Sequence, residues 1–306
     1  MLPVPRHYTS KKSNRQISRL VPLLFALAGI ALFMYPVVAT QWNNYRQNQI
    51  TTYYARQVQE PQRLEALEAS VAAARRYNEE TPGAPILDPW LSRVSQTNNP
   101  YQEYLEQLNV MEQMGQLIIP KIRVNLPIYH GTEPKTLERG IGHLYGSSLP
   151  VGGAGTHAVL TGHTGLTNAT LLDHLEQMRV GDAFYLNVAG LHMKYRVVSV
   201  VVVEPTEIGT LKRQDGRDLV TLITCTPYGI NSHRLLVTGE RTALDKNEEN
   251  AFNSGFMLTW SWWMVAALVA STLMALLTLW WWRRGKGRRR KEKHPRKQGI
   301  KHAKAR

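Results

Sequence analysis

Two stretches of the chain, residues 20–45 and 251–282, carry no Asp, Glu, Lys or Arg. The apolar runs inside them, 20–40 and 260–282, are each long enough to cross a hydrocarbon core of about 30 Å at about 1.5 Å per residue. Trp42, Tyr45, Trp260, Trp262, Trp263 and Trp280 to Trp282 crowd their edges, where amphipathic rings favour the bilayer interface. Transmembrane helices are therefore expected at 20–41 and 256–282. A cleaved signal peptide is the alternative for the first. Val38-Ala-Thr40 makes a poor cleavage site, however, and the run exceeds a usual signal core, so an uncleaved signal-anchor is expected.

Between these runs the pattern changes twice. From Asn43 to about Met114 it is polar and helical, with Leu64, Leu67, Val71 and Ala74 recurring at three- and four-residue spacing. Thr81-Pro-Gly-Ala-Pro85 breaks it, and Ile86-Leu-Asp-Pro-Trp90 inserts apolar, acidic and aromatic residues into a polar stretch. A second helical pattern through Tyr104, Leu105, Leu108 and Met111 leads into Gly115. Beyond Gly115 the residues favour strands, at 117–120, 123–129, 156–161, 183–188, 191–203, 218–224 and 233–239. Ala189-Gly190 marks a tight hairpin, and 168–178 reads as one helix with Leu171, Leu172 and Leu175 apolar. The expected fold is mainly β: a small closed or nearly closed barrel at 115–245 with short helices. A helical segment at 42–114 precedes it, and a linker at 246–255 leads to the second span.

Charge orients this arrangement. Residues 1–19 carry +5, residues 283–306 carry +12, and the whole chain carries +14, which leaves −3 for the segment between. Both basic tails belong on the cytoplasmic side, with the segment between them outside and lipid headgroups as partners of the tails. The tail at 283–306 resembles a nucleic-acid arm only in composition, and its place beside a span makes that reading unnecessary. No Cys or His pair has zinc-ligand spacing, no dense carboxylate loop suggests calcium, and there is no glycine-rich phosphate loop. No metal, cofactor or nucleic acid is expected.

Cys225 is the single cysteine, and it closes the strand pattern Asp218-Leu-Val-Thr-Leu-Ile-Thr-Cys225. A lone thiol outside the cytoplasm, with no partner in its own chain, is either incidental or reactive. A nucleophilic thiol needs a base or a positive neighbour. Of the ten histidines, His157 and His163 share the run Gly155-Thr-His-Ala-Val-Leu-Thr-Gly-His163-Thr-Gly-Leu. His157 opens the strand, whereas glycines on both sides of His163 allow an exposed ring and a close backbone approach, which favours His163. Arg234 follows in Asn231-Ser-His-Arg-Leu-Leu-Val. A strand–loop–strand hairpin would set its guanidinium beside Cys225, suited to a carbonyl oxygen that turns negative on attack. His143 and His233 sit beside motif residues and are expected to pack or hydrogen-bond.

Thr221-Leu-Ile-Thr-Cys225 with Arg234 nine residues on resembles the TLxTC…R signature of sortases. The likeness extends through Ile119-Pro-Lys-Ile-Arg-Val-Asn-Leu-Pro-Ile128, Gly142-His-Leu-Tyr-Gly-Ser-Ser-Leu-Pro-Val-Gly152, Gly155–Leu166 and Cys-Thr-Pro-Tyr-Gly229, so it covers about 115–241. The resemblance implies a sortase-type barrel and a catalytic set of His163, Cys225 and Arg234, with Thr224 of the signature as a substrate contact. Asp88-Pro-Trp90 is similar to the lid of class C sortases, which polymerise pilins; there the Asp engages the catalytic Arg and the aromatic covers the Cys. The implied partners are pilins or surface proteins with LPxTG-like sorting signals, and the acceptor is a pilin lysine amine. Two alternatives remain: a housekeeping sortase that transfers to a cell-wall precursor, and a membrane scaffold that needs no reactive thiol.

Overall fold

The charge-free runs form the two longest helices, α1 (Asn14–Gln57) and α5 (Trp262–Glu292). The computed structural model describes residues 14–81, 98–207, 211–253 and 259–292. Both helices are long and apolar enough to cross a bilayer, and Phe25, Leu32, Leu273 and Leu277 are each more than half exposed. Apolar surface left bare on helices of this length suits lipid contact. The chain groups into two compact units, one made of Met1–Val38 with Trp260–Arg306 and the other of Ala39–Thr259. In the first, Val37 of α1 is buried with Met264 and Ala267 of α5.

The second unit begins with the remainder of α1 and with α2 (Leu64–Glu80), whose Leu67, Val71, Ala74 and Asn78 are buried on one face. α2 ends at Thr81, which is extended, as the residue before a proline prefers. α3 (Asn99–Leu105) starts where the Asn98 side chain accepts from the Tyr101 amide at 3.3 Å. It stops short of Met111 because Leu108 takes a positive φ of 50°, so the second helical pattern is shorter than its periodicity suggested. Asp88 and Trp90 lie outside the described residues.

Eight strands follow among the described residues: β1 (Gly115–Ile119), β2 (Val124–His130), β3 (Ile141–His143), β4 (Thr156–Thr161), β5 (Ala183–Val188), β6 (Leu191–Val203), β7 (Asp218–Thr226) and β8 (His233–Thr242). A one-turn helix, α4 (Pro134–Leu137), lies between β2 and β3. The strands close into a barrel in the order β1-β2-β3-β4-β7-β8-β6-β5. The pairs β2–β3 and β4–β7 are parallel and the others antiparallel. β3 is the strand that the residue pattern missed, three residues being too few to show an alternation.

The segment 168–178, expected to be one helix, is instead a series of turns ending in a 3₁₀ turn at Leu175–Gln177. Leu171 has φ 39°, which breaks any α-helix there. Leu171, Leu172 and Leu175 are buried as the spacing demanded, but by packing against the barrel rather than on a helix face.

Side chains alternate across the sheet, so each strand feeds two surfaces. Ala158, Leu160, Val220, Leu222, Leu235 and Val237 fill the barrel interior. Their neighbours Val159, Ile223 and Leu236 form a second apolar cluster on the outer face, covered by Leu144 and by Leu211 from the connection between β6 and β7. A line of side-chain amides ties α1 to the sheet: Asn125 donates to Asn48 at 3.0 Å, Gln116 donates to Asn125 at 2.8 Å, and Asn187 donates to Gln116 at 3.4 Å. Asn78 of α2 grips Leu149 through both its backbone groups, at 3.0 and 2.7 Å.

Candidate active site

The register of three adjacent strands assembles the site. β4 and β7 run parallel with His157 opposite Leu219, Val159 opposite Thr221 and Thr161 opposite Ile223. β7 and β8 run antiparallel with Ile223 opposite Leu236 and Cys225 opposite Arg234. Cys225 and Arg234 thus share one cross-strand row on the outer face, with neighbouring strands about 4.8 Å apart, and His163 follows two residues beyond the end of β4, the strand beside β7. The row Thr161–Ile223–Leu236 lies directly beneath.

Each of the three residues is held differently. Cys225 is buried near the end of β7, just before the cis Thr226–Pro227 bond. Arg234 is buried near the start of β8, and its Nη1 donates to the carbonyls of Asn231 and His233 at 3.2 and 3.1 Å. Asn231 sits at φ 59°, a conformation that Asn tolerates better than most residues. His163 is half-buried, and burial holds its pKa below the usual imidazole value against an opposing pull from Glu138. The neutral ring, the form able to take up a proton, is therefore favoured.

Gly162 precedes His163 in a crowded spot. A Cβ at this position would lie 2.7 Å from the Ile141 side chain and 3.0 Å from that of Leu172, so a larger residue would have to push one or both aside. Its amide donates to Ile223 O at 3.1 Å, and its carbonyl accepts from the Thr224 hydroxyl at 2.8 Å. Thr224, expected to contact substrate, lies on the opposite side of β7 from Cys225, and its hydroxyl is committed to this turn.

The competing histidines are occupied elsewhere. His157 lies three rows below Cys225 and is buried, with Nδ1 3.0 Å from Lys212 O and Nε2 2.7 Å from the Thr221 hydroxyl. A carbonyl only accepts, so Nδ1 carries the proton and Nε2 accepts from Thr221; burial depresses the pKa of the ring. His143 is fully buried, spans Tyr104 and Ser148 O, and titrates at about 4 because of that burial. His233 is exposed and shares a hydrogen bond with Ser232 at 2.8 Å.

One group beside the row was not singled out from the sequence. Asp173 accepts from the Gly165 amide at 2.8 Å and from the Thr164 hydroxyl at 3.2 Å. Burial raises its pKa to about 6 despite those two donors. Nothing in the composition marked it, because it lay within a segment that reads as an ordinary amphipathic helix. Among the described residues no group of three or more His, Cys, Asp or Glu side chains could hold a metal ion.

This barrel, with a thiol opposite a guanidinium on two adjacent strands and an imidazole just past the end of the next, has known relatives. Residues 117–242 match the sortase domain. Sortase C-1 from Actinomyces oris is 53% identical, with the match covering 59% of this chain and 99% of that one at a TM-score of 0.58. Streptococcus pneumoniae sortase C, described for its pilin substrate specificity, is 40% identical over 64% of this chain and 98% of that one, at a TM-score of 0.60. Sortase D from Bacillus subtilis is 29% identical over 130 residues, which span 42% of this chain and 63% of that relative. The chain belongs to the sortase family, and its structural neighbours include class C sortases.

Proposed function

We propose that this chain is a membrane-anchored class C sortase that joins pilin subunits by acyl transfer through a thioester. In this reading Cys225 Sγ attacks the Thr–Gly carbonyl of an LPxTG-like sorting signal. The tetrahedral oxyanion forms beside Arg234, whose fixed charge stabilises it. The thiol proton passes to the neutral His163, which gives it to the departing glycine amine as the C–N bond breaks, leaving the Thr acyl group on sulfur. It then takes a proton from an incoming lysine amine, whose attack forms an isopeptide bond, and returns that proton to the departing sulfur. One imidazole can serve both half-reactions because it ends each of them neutral, as it began. No cofactor takes part.

The observation that carries this reading is the register pair of Cys225 and Arg234 on β7 and β8, with His163 two residues past the end of the neighbouring β4. The class C assignment draws on likeness to sortases C from Actinomyces and the pneumococcus. By the same reading the spans at 20–41 and 256–282 flank a catalytic region of 115–245 on the extracytoplasmic face, with both basic tails cytoplasmic. Asp88 and Trp90 act as a lid over Arg234 and Cys225. A pilin lysine as acceptor distinguishes this reading from transfer to a cell-wall precursor.

The test is mass spectrometry of the protein incubated with an LPxTG peptide. The wild type should gain the mass of the acyl fragment on Cys225, and Cys225→Ala should gain nothing while staying folded. An acyl adduct on the Ala variant would remove Cys225 from the mechanism. Adding a lysine-bearing pilin peptide should release the adduct as an isopeptide product. Release by a cell-wall precursor alone would move the protein to the housekeeping class.

A further inference from the structure

His163 lies beyond the end of β4, where the strand ladder no longer holds it, and a second segment does so instead. The Leu172 amide donates to His163 O at 3.2 Å. Asp173 Oδ1 then accepts from the hydroxyl of Thr164 and the amide of Gly165, the two residues that follow the histidine. This segment is in turn fastened to α1 just past its apolar run. Thr40 donates through its hydroxyl to Thr167 O at 3.2 Å, and Asn43 Nδ2 donates to Asn168 O at 2.8 Å. Asn44 both donates to the Thr170 hydroxyl at 2.8 Å and accepts from the Thr170 amide at 3.2 Å.

We propose that residues 167–173 form a strap that positions His163, with Asp173 and Asn44 as the positioning residues at its two ends. The inference rests on the reading of His163 as the acid and base. Seven hydrogen bonds lead in two steps from α1 to the histidine loop, and four of them come from three consecutive-face side chains of that helix. Asp173 is kept here at a cost, since burial opposes its ionisation and Glu176 nearby opposes it further. On its far side stands Tyr228, whose own pKa is raised first by burial and then by Asp173. Burial lowers the pKa of His163 and Glu138 raises it. Asp173 reaches the loop through its acceptor oxygen, which holds the two residues after the histidine. The imidazole must meet a departing amine and an arriving one, and a displacement of about 1 Å from such a position can cost about 10²-fold in rate.

The experiment uses the full chain in phospholipid nanodiscs with an LPxTG peptide, measuring kcat, KM and amide hydrogen exchange in residues 163–166. Asp173→Ala should lower kcat by about tenfold or more with KM within about twofold, since positioning enters the chemical step. Asp173→Asn keeps an acceptor oxygen and should recover most of the loss. Thr164→Val, which removes one of the two donors, should fall between them, and Asn44→Ala should lower kcat in the same direction. Exchange at Gly165 should speed up in Asp173→Ala and in Asn44→Ala, and remain slow in Asp173→Asn. Wild-type kcat in Asp173→Ala, an equal loss in the Ala and Asn variants, or a change in KM alone would overturn the proposal. If the wild type forms no acyl adduct, the proposed function fails. Exchange at Gly165 still decides the strap, and an unchanged rate in Asp173→Ala would refute it. Should Asp173→Ala not fold, Thr164→Val and Asn44→Ala carry the same two readouts.

Discussion

Cys225 and Arg234 face each other as a register pair of the β7–β8 ladder, whereas His163 stands past the last pair of β4. The first two inherit their positions from backbone hydrogen bonds and from the alternation of a strand. The histidine inherits its position from glycine at 162, a Thr224 strut and the contacts of residues 170–173. A ladder is cooperative and hard to distort locally. A loop held by side chains loses position one contact at a time. Cys225 and Arg234 are thus built into the barrel, and His163 is held from outside it.

The largest effect that separates the two halves should come from the histidines. His163→Ala should lower turnover by about 10²–10⁴-fold, the usual contribution of a positioned acid–base group. His157→Ala should cost less than about tenfold, because it lies three rows away and serves Lys212 O and Thr221. Equal losses in a peptide-cleavage assay would show that the row does not identify the base. Next in size, Ile223→Ala, beneath the row and fully buried in the outer cluster, should destabilise the domain by about 2–5 kcal/mol. Denaturant unfolding checks this, and a loss below about 1 kcal/mol would mean that the outer face can collapse around the cavity.

The smallest effect sharpens the loop side of the comparison. The pKa of Asp173 is raised to about 6 from the ordinary 3.8, so its neutral form is the one folding favours. That favourable contribution is complete below the unfolded pKa and is lost as pH rises through the folded one. Asp173→Asn removes the dependence, so its melting temperature relative to the parent should climb between pH 4 and pH 7. Each kcal/mol recovered corresponds to about 2–4 °C in a domain of this size. A difference that stays flat across that range would show that burial does not oppose the carboxylate.

The barrel was largely legible before any coordinates because seven of its strands are four or more residues long and rich in Val, Ile, Leu and Thr. Cys225 and Arg234 were legible for the same reason, since strand and hairpin spacing determines which residues meet. β3 was not, and the segment 168–178 was misread. Its leucines are apolar at helical spacing, yet its backbone groups serve His163 O and its carboxylate serves Gly165. Spacing reports which side chains are buried and says nothing about where a loop spends its hydrogen bonds. Asp173 was invisible because it sat in a segment that reads as an amphipathic helix, and Asn44 because its partner Thr170 is 126 residues away.

The closed order of the eight strands has a consequence for how a peptide can be gripped. An open sheet offers an edge, where a visiting segment can dock as an extra strand and bond through its main chain regardless of sequence. A closed barrel has no such edge. An extended guest lying on the outer face of β4, β7 and β8 crosses strands whose amides and carbonyls are already paired with one another. Its grip must then come from side-chain pockets and from connecting loops, whose groups depend on the guest's residues and not on its backbone. A guest held in this way is selected by its side chains, and a chain with other residues at those positions is released.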